Sequence, residues 1–522
     1  MKKIIQLNSF VRMKRQNYIS TFLVFFSAFA WFLIGANFGL NIYDEGIGIV
    51  GAKRILMGEV PYRDFWTIYS PLWYYVLGLW IKLFGSEIFV IRLFTILLNS
   101  ISISIIYKTI KSQNINPYLG TLAAAMFLSL SPFYGRAIPL ALLFTFLMIY
   151  YLLNKKSNSD YIIIGILNVL LFATRHDFGI YAIASTICVA IFENKILKEK
   201  SIKQYLIYLM TLLFVLCLYF LILLKIGALG DYFEYAYKFV FEKFGVGRSL
   251  PFPNPFIVFF EENVPIGSRV YNLWLSIIFY LPFVLIGTLF YLIIKSKIEI
   301  SSESKFFVTI TLFSLIFSAQ GMVRSGYEHI LPSLLIITMM ITSIMVRLNL
   351  ANKFYLLFLL IFFSFPPIAK KAQSLIYLYS GKSSEIKSHF SKFIKLPKEE
   401  AENYNNLIEY VQIFDRSEYL YSGVLYHEKI FINDIMLYHL TNRYPATKYH
   451  ELHPGQATEA SIQDEIIAEL KSKKTHVLVL YYDKESEKQK IIGESNLDEY
   501  IRENYLLSKI FGNYYVFRLN KH

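Results

Sequence analysis

Two adjacent carboxylates, Asp44 and Glu45, follow directly on the first long apolar segment of the chain. The segment 18–40 is long enough and apolar enough to cross a bilayer as a helix. The pair is therefore expected where this helix leaves the membrane. Ionised side chains lose hydration near hydrocarbon, which makes such a pair a candidate functional site by default. A carboxylate in this position could act as a general base toward a group that arrives from the aqueous side.

A plainer interpretation of Asp44 is that it only caps a helix. The pattern predicts a helix from Asp44 to Met57, with Gly58 as its stop signal. The apolar residues of this helix are expected to face lipid, with Lys53 and Arg54 toward the headgroups. On this interpretation Asp44 has no chemical role.

Cationic residues from distant parts of the sequence lie at the ends of other apolar segments. The turn Arg175-His176-Asp177 separates two apolar runs, and the stretch from Arg324 to His329 precedes another. Each arginine alone could be a headgroup anchor. Together with Asp44 they suggest a cluster at one membrane surface, where cations would suit a lipid-linked phosphate.

The composition is that of a membrane protein. Of 522 residues, 55% are hydrophobic and 17% charged, whereas soluble proteins carry about 25% charged residues. The formal charge of +14 lies entirely in residues 1–368, which hold 31 basic and 17 acidic residues; the remainder holds 21 of each. A basic excess confined to the membrane part indicates topology and lipid contact, and it argues against a nucleic-acid partner. Cys188 and Cys217 fall in apolar segments and imply no disulfide framework.

We expect about eleven spans, at residues 18–40, 88–107, 118–133, 138–153, 161–174, 178–192, 204–224, 273–294, 306–320, 330–346 and 354–368. Lysine-rich loops alternate between them, which predicts a cytoplasmic N-terminus and an extracytoplasmic C-terminus in the cell (plasma) membrane. The external loops are then 41–87, 131–137, 175–177, 225–272 and 321–329. The apolar segment 71–84 is too short to span and is expected to be re-entrant or interfacial.

The chain therefore divides into a transmembrane domain, residues 1–368, and an extracytoplasmic soluble α/β domain, residues 369–522. Expected strands in the second domain are Glu418–Val424, Lys429–Asn433, His476–Tyr482 and Asn513–Leu519. Expected helices are Glu399–Phe414, Ala460–Lys471 and Leu497–Tyr505.

The first external loop carries motifs of a known family. A Gly-x-x-Pro-Tyr turn ends at Tyr62, a Pro-Leu-x-Tyr stretch begins at Pro71, and a Leu-Phe-Gly-Ser-Glu block precedes Arg92. With the acidic pair, this order resembles the GT-C glycosyltransferases, in particular the dolichyl-phosphate-mannose–protein mannosyltransferase family and bacterial aminoarabinose transferases. One departure is that some relatives have a phosphate-binding lysine before the Pro-Leu pair, where this chain has Tyr69-Ser70.

The resemblance implies an inverting transferase that uses a polyprenyl-phosphate sugar as donor and a glycan, lipid or protein as acceptor, among membrane lipids and without nucleic acid. Asp44 and Glu45 would be the catalytic carboxylates. The donor phosphate or its lipid would be bound by Arg63, Arg92, Arg175, Arg324 and His329. The substrate loop would present Tyr62, Asp64, Tyr69, Asp177 and Tyr327. A divalent metal ion could assist, but no ligand spacing demands one.

Two other classes share some of these features. A glycan polymerase or ligase also uses lipid-linked substrates, and the proline- and aromatic-rich loop 225–272 would fit it. A lipid-linked sugar transporter would also have many spans with charges. Against a transporter, the charges lie at span ends and the spans show no obvious twofold repeat.

Overall fold

The structure is a computed structural model, and it describes residues 2–199, 201–244, 252–254, 265–295, 304–348, 353–414, 417–429, 432–482 and 491–520. Helices α1 to α10 are Lys2–Leu33, Asp44–Leu56, Leu72–Phe84, Ile88–Ser112, Tyr118–Leu130, Ile138–Asn154, Asn158–Thr174, His176–Ile191, Ile202–Lys225 and Leu229–Phe233. Helices α11 to α20 are Ile266–Ile294, Ser304–Phe317, Ala319–Val323, Tyr327–Ile337, Ile341–Arg347, Lys353–Tyr379, Lys398–Phe414, Met436–Leu440, Ala460–Ser472 and Asn496–Asn504. Strands β1 to β7 are Ser383–Glu385, Lys395–Pro397, Tyr419–Val424, Tyr444–Pro445, Val477–Tyr481, Tyr505–Phe511 and Tyr514–Leu519.

Long apolar helices form the membrane part. Within the described ranges, seven are long and apolar enough to cross a membrane: Ile88–Ser112, His176–Ile196, Ile202–Lys225, Ile266–Ile294, Ser304–Met322, Tyr327–Arg347 and Phe354–Tyr379. Four more expected spans are shorter apolar helices, Tyr18–Leu33, Tyr118–Leu130, Ile138–Asn154 and Asn158–Thr174. The prediction of a polytopic helical membrane protein is confirmed, while the count of eleven stays a prediction.

Helix α2 lies in the interior of the protein, so the prediction that its apolar residues face lipid is wrong. Ile47 is only 5% exposed. The guanidinium of Arg54 donates to the Thr447 carbonyl at 3.2 Å, and the ammonium of Lys53 donates to Asn442 Oδ1 at 3.3 Å. The C-terminal domain thus covers a face that the local sequence pattern assigned to lipid. A local pattern shows that a face is apolar, but not what covers it.

Three glycines allow α2 to be approached closely on several sides. A Cβ at Gly46 would lie 2.8 Å from the backbone nitrogen of Met436, in the C-terminal domain. A Cβ at Gly51 would lie 2.4 Å from the ring of Tyr74 in α3. Because glycine inside a helix costs about 1 kcal/mol relative to alanine, these positions indicate that close packing determines the sequence here.

The C-terminal domain contains a five-stranded mixed sheet in the order β4-β3-β5-β7-β6. Strand β3 is parallel to β4 and β5, whereas β7 is antiparallel to β5 and β6. A separate antiparallel pair, β1 and β2, joins this domain to the loop after α1, because the Lys395 amide donates to the Asn37 carbonyl at 2.9 Å. The expected α/β domain is therefore present.

Most expected elements of this domain are observed, with two corrections. Residues 427–429 form a 3-10 turn where the strand Lys429–Asn433 was expected to begin, and residues 430–431 lie outside the described part of the chain. The expected helix Leu497–Tyr505 ends at Asn504, and Tyr505 begins strand β6. This edge strand was missed because its middle residues are all exposed, so its sequence lacks the alternation of a half-buried strand.

Candidate active site

Asp44 is the first residue of α2, and Tyr43 occupies the N-cap position. The capping role belongs to Asn41, whose Oδ1 accepts hydrogen bonds from the amides of Asp44 at 2.8 Å and Tyr43 at 3.2 Å. Asp44 Oδ2 instead lies 3.5 Å from Arg136 Nη1, and its side chain is 29% exposed. The capping interpretation of Asp44 is therefore wrong, and the carboxylate is open to a reactant.

Arg136 joins two carboxylates from distant parts of the chain. Its Nη1 also contacts the carboxylate of Glu328, whose other oxygen accepts a hydrogen bond from Ser131 Oγ at 2.7 Å. Burial lowers the pKa of Arg136, but the charges of Asp44 and Glu328 outweigh it and raise this pKa above its usual value. The guanidinium is therefore a permanent cation beside Asp44.

A pair of glycines sets the approach of Arg136 to Asp44. The Gly135 carbonyl accepts a hydrogen bond from Trp73 Nε1 at 2.9 Å, and a Cβ at Gly48 would lie 1.8 Å from the same oxygen. Gly135 has a φ of +68°, a conformation that favours glycine. The backbone of this loop can therefore touch α2 one turn after Asp44, which brings the next residue to the carboxylate.

Arg175 lies across a small cavity of about 30 Å³ that Asp44, Tyr69 and Arg136 also line. Its Nε and Nη2 donate to the Asp177 carboxylate at 2.9 and 2.5 Å. Burial lowers the pKa of Arg175, but Asp177 more than compensates and raises this pKa above its usual value. Two charged guanidinium groups thus face one small space next to Asp44.

The turn that carries Arg175 is tied to the first external loop. Ser70 Oγ accepts a hydrogen bond from the His176 amide at 2.9 Å and lies 3.2 Å from His176 Nδ1. Asp177 accepts a further hydrogen bond from Gln320 Nε2 at 3.1 Å. His176 and Ser70, which the sequence did not single out for a role, therefore position predicted site residues.

A larger cavity of about 300 Å³ lies on the other side of Arg136 and has charged and apolar walls. Lys370 and Lys371 reach it, and their ammonium groups donate to the carbonyls of Leu130 at 2.6 Å and Ile34 at 2.7 Å. The remaining lining includes Phe32, Phe38, Asn41, Phe133, Tyr134 and Glu328. Because Arg136 lines both cavities, it stands at their junction.

Glu45 and Arg92 form a buried ion pair rather than two separate functional groups. Arg92 Nε and Nη2 donate to the two Glu45 oxygens, each at 2.8 Å, and the side chains are 1–2% exposed. Arg92 also donates to the carbonyls of Ala36 at 2.7 Å and Gly39 at 2.9 Å. These bonds favour a positioning role for both residues over the catalytic and phosphate-binding roles expected from the sequence.

The remaining predicted residues divide into two groups. His329 lies within electrostatic reach of the cations Arg175, Arg324 and Arg136. Arg63 instead binds Asp64 through two hydrogen bonds, at 2.9 and 2.7 Å, and lines neither of these two cavities.

Two tyrosines predicted to belong to the substrate loop bind backbone carbonyls through their hydroxyl groups. The Tyr62 hydroxyl donates to the Tyr69 carbonyl at 2.6 Å, and the Tyr327 hydroxyl donates to the Phe127 carbonyl at 2.7 Å. Of the three tyrosines, only Tyr69 lines the small cavity beside Asp44.

In the part of the chain that is described, no group of three or more His, Cys, Asp and Glu side chains could hold a metal ion.

The principal site residue that sequence reasoning missed is Arg136. It stands alone in a short loop, predicted to be external, with no motif around it. Its partner Glu328 was visible between Arg324 and His329, but received no role. The available signal was that both belong to external loops that the predicted topology places on the face of Asp44.

Comparisons with known proteins support the resemblance seen in the first external loop. The family model described as dolichyl-phosphate-mannose-protein mannosyltransferase matches residues 69–222. That segment contains Arg92, Arg136 and Arg175, and it begins after Asp44. A comparison with curated protein sequences finds no match.

Solved structures of ArnT from Cupriavidus metallidurans share the fold over almost the whole chain. The structure bound to undecaprenyl phosphate has 9% sequence identity and a TM-score of 0.51, and the match covers 97% of each chain. The structure in the apo state has 10% identity and a TM-score of 0.51, with 98% of each chain covered. The protein is thus a multi-pass membrane protein with the ArnT fold, and its resemblance to the GT-C mannosyltransferase and aminoarabinose transferase group is confirmed.

Proposed function

We propose that the protein is a membrane glycosyltransferase that moves a sugar from a polyprenyl-phosphate donor to an acceptor hydroxyl on the extracytoplasmic face. The observation that carries this proposal is the ionic contact of Asp44 with Arg136, beside a cavity that Arg175 also lines. A carboxylate next to two fixed cations matches the demands of a reaction with a phosphate leaving group. The fold of ArnT, one of whose structures holds undecaprenyl phosphate, supports the same choice of donor.

The proposed step transfers one sugar with inversion. The acceptor oxygen attacks the anomeric carbon and forms the new C–O bond while its proton passes to Asp44. The bond between the anomeric carbon and the phosphate oxygen breaks, and its electron pair leaves with the polyprenyl phosphate. Arg136 and Arg175 hold the charge that develops on that phosphate, because fixed cations stabilise developing negative charge most when they are already in place. Arg324 adds positive potential nearby.

The remaining residues support this centre. Glu45 and Arg92 fix the first turn of α2 against α4 and the loop after α1. The larger cavity offers Lys370 and Lys371 to a second anionic or polar group. The proposed orientation, with a cytoplasmic N-terminus and an external C-terminal domain, rests on the alternation of lysine-rich loops.

The test compares cells that carry the wild-type protein, Asp44→Asn or a deletion. Polyprenyl-phosphate sugars and surface glycans are quantified by mass spectrometry at matched protein levels. The proposal predicts that Asp44→Asn matches the deletion, with one glycan lost and one lipid-linked sugar accumulated. Asp231→Asn, in another external loop, should behave as wild type.

Two results would contradict the proposal. Wild-type glycans in the Asp44→Asn cells would remove the assigned base. Shorter polymers with an unchanged pool of monosaccharide carriers would favour a polymerase or ligase. The identity of the accumulated lipid names the donor sugar, and the lost glycan names the acceptor.

A further inference from the structure

Two hydrogen bonds attach the residues just before α2 to the C-terminal domain. The Met436 amide donates to the Ile42 carbonyl at 2.9 Å, and the Tyr43 hydroxyl donates to the Leu452 carbonyl at 3.2 Å. Both bonds belong to the two residues that precede Asp44. The assigned base is therefore the first residue after a segment that the C-terminal domain holds.

Tyr43 also contacts an unusual group of polar side chains. Its hydroxyl lies 3.1 Å from His453 Nε2, which in turn lies 3.2 Å from Glu451 Oε2. Both His453 and Glu451 are 0% exposed, and Tyr43 is 5% exposed. Burying a carboxylate and an imidazole costs free energy unless they are well paired, so this group needs a reason beyond filling space.

The aromatic surroundings restrict how His453 can move. Its ring lies 5.2 Å from the ring of Trp66, in the first external loop, and 5.9 Å from the ring of Tyr43. The His453 amide donates to Gln456 Oε1 at 3.0 Å, which fixes its own loop. His453 thus contacts the C-terminal domain, the first external loop and the residue next to Asp44 at once.

The packing of α2 leaves little freedom to compensate for a lost bond. Gly46 is so close to Met436 that a Cβ there would lie 2.8 Å from its nitrogen, and Gly48 touches the Gly135 carbonyl in the same way. The C-terminal domain therefore presses α2 against the loop that carries Arg136. A shift of Tyr43 would change the distance between Asp44 and Arg136 directly.

We propose that Tyr43, His453 and Glu451 form a positioning network through which the C-terminal domain holds Asp44 at its working distance from Arg136. The inference rests on the proposed function of Asp44 as base. It assigns to the C-terminal domain a part in the chemical step, since small misplacements of a reacting group lower the rate steeply. None of the three side chains lines either cavity beside Asp44.

The test uses the full-length protein in nanodiscs, with the lipid-linked sugar that accumulates in the deletion strain as donor. The variants are Tyr43→Phe, His453→Leu, His453→Gln and the double variant Tyr43→Phe/His453→Leu. Tyr505→Phe is the matched control, because it removes a buried hydroxyl that donates to the Thr475 carbonyl at 2.9 Å, elsewhere in the same domain. The readouts are kcat, KM for the donor, and Kd for undecaprenyl phosphate.

Tyr43→Phe and His453→Leu should each lower kcat about tenfold, because Asp44 loses its alignment while the cations that bind phosphate stay in place. The KM for the donor and the Kd should stay within about twofold of wild type. The double variant should be no slower than the slower single variant, since both changes break one network. His453→Gln retains an amide that can bond Tyr43 and should recover most of the rate, and Tyr505→Phe should leave it unchanged.

Three kinetic results would overturn the proposal: equal kcat in Tyr43→Phe and Tyr505→Phe, additive losses in the double variant, or a loss confined to donor KM. Amide hydrogen exchange tests the positioning network without any activity. Tyr43→Phe should speed exchange in the first turn of α2 and leave strand β5 as in wild type, and unchanged exchange in that turn would refute the network. If Asp44→Asn were fully active while Tyr43→Phe still speeded exchange, the proposed function would fail and the positioning network would stand.

Discussion

Arg136 is the residue on which the candidate site depends most. It contacts Asp44 from the first external loop and Glu328 from a much later one, and it lines both cavities. The sequence does not show that Arg136 contacts Asp44 or Glu328, because a single arginine in a short loop belongs to no recognisable pattern. Asp44 was predictable because an ionised pair at a span end is unusual by itself.

Replacing Arg136 should weaken phosphate binding more than replacing any exposed arginine. We expect Arg136→Ala to raise the Kd for undecaprenyl phosphate about 10- to 100-fold, because a charged hydrogen bond contributes about 1.5–3 kcal/mol. Arg63→Ala is the control, since Arg63 pairs with Asp64 and should leave the Kd unchanged. Binding to protein in nanodiscs, measured by microscale thermophoresis, checks both, and equal Kd values for the two variants would refute the assignment.

Glu45 illustrates how sequence proximity can mislead. It adjoins Asp44, but one helical step turns its carboxylate into the core, where Arg92 binds both oxygens. Both residues also line the larger cavity, so the catalytic and phosphate-binding roles expected from the sequence stay predictions. Their pairing over 47 positions depends on where the tertiary fold places α2 relative to α4, which no local motif encodes.

Glu45→Gln should lower the stability of the protein. Removing one partner leaves a buried charge uncompensated, which costs about 3–5 kcal/mol. We expect a clear fall in the unfolding temperature of the purified protein by scanning fluorimetry. Asp44→Asn, at a partly exposed position, should leave it nearly unchanged. A Glu45→Gln protein that is as stable as wild type but inactive would instead support a catalytic Glu45.

Helix α2 is the element that organises the site. Its bounds followed from the sequence, because Gly58 with a φ of +91° stops it as expected. Its surroundings did not follow, because the apolar face that suggested lipid is covered by Met436 and its neighbours from the other domain. Three glycines in thirteen residues were the available sign of close packing.

Gly48→Ala should therefore disturb the site although it improves helix propensity. A Cβ at Gly48 would meet the Gly135 carbonyl at 1.8 Å and push away the loop that carries Arg136. We expect at least a tenfold loss of transfer rate and a lower unfolding temperature, as overpacking costs about 1–3 kcal/mol. Gly78→Ala, in α3, is the matched control, since its Cβ would have an ordinary contact of 3.4 Å. Equal behaviour of the two variants would contradict the packing argument.

The whole molecule combines a helical membrane part with a mixed-sheet domain attached at α2 and at the loop after α1. Apolar runs were enough to predict the membrane part. Of the seven described strands, only β3, β5 and β7 were predicted; β1, β2 and β4 are only two or three residues long, and β6 is an exposed edge strand. The contacts between the two parts could not be predicted, since they join residues about 400 positions apart, such as Tyr43 and Leu452.

The orientation of the molecule is open to a direct check. The lysine alternation predicts that Ser472 lies outside the cell and Asn116 inside. We expect a Ser472→Cys variant, in a background with Cys188 and Cys217 replaced by serine, to react with a membrane-impermeant maleimide in intact cells. An Asn116→Cys variant should react only after permeabilisation. The reverse labelling pattern would place the candidate site on the cytoplasmic face.

The central claim is that sugar transfer releases polyprenyl phosphate and needs the Asp44 carboxylate. The most direct measurement incubates purified protein in nanodiscs with lipid extract and acceptor extract from the deletion strain, and follows free polyprenyl phosphate by mass spectrometry. The wild-type protein should release one polyprenyl phosphate for each sugar transferred, and Asp44→Asn should release less than about one hundredth as much. A wild-type protein that leaves the lipid-linked sugar intact, or an Asp44→Asn protein that releases it equally fast, would contradict the claim.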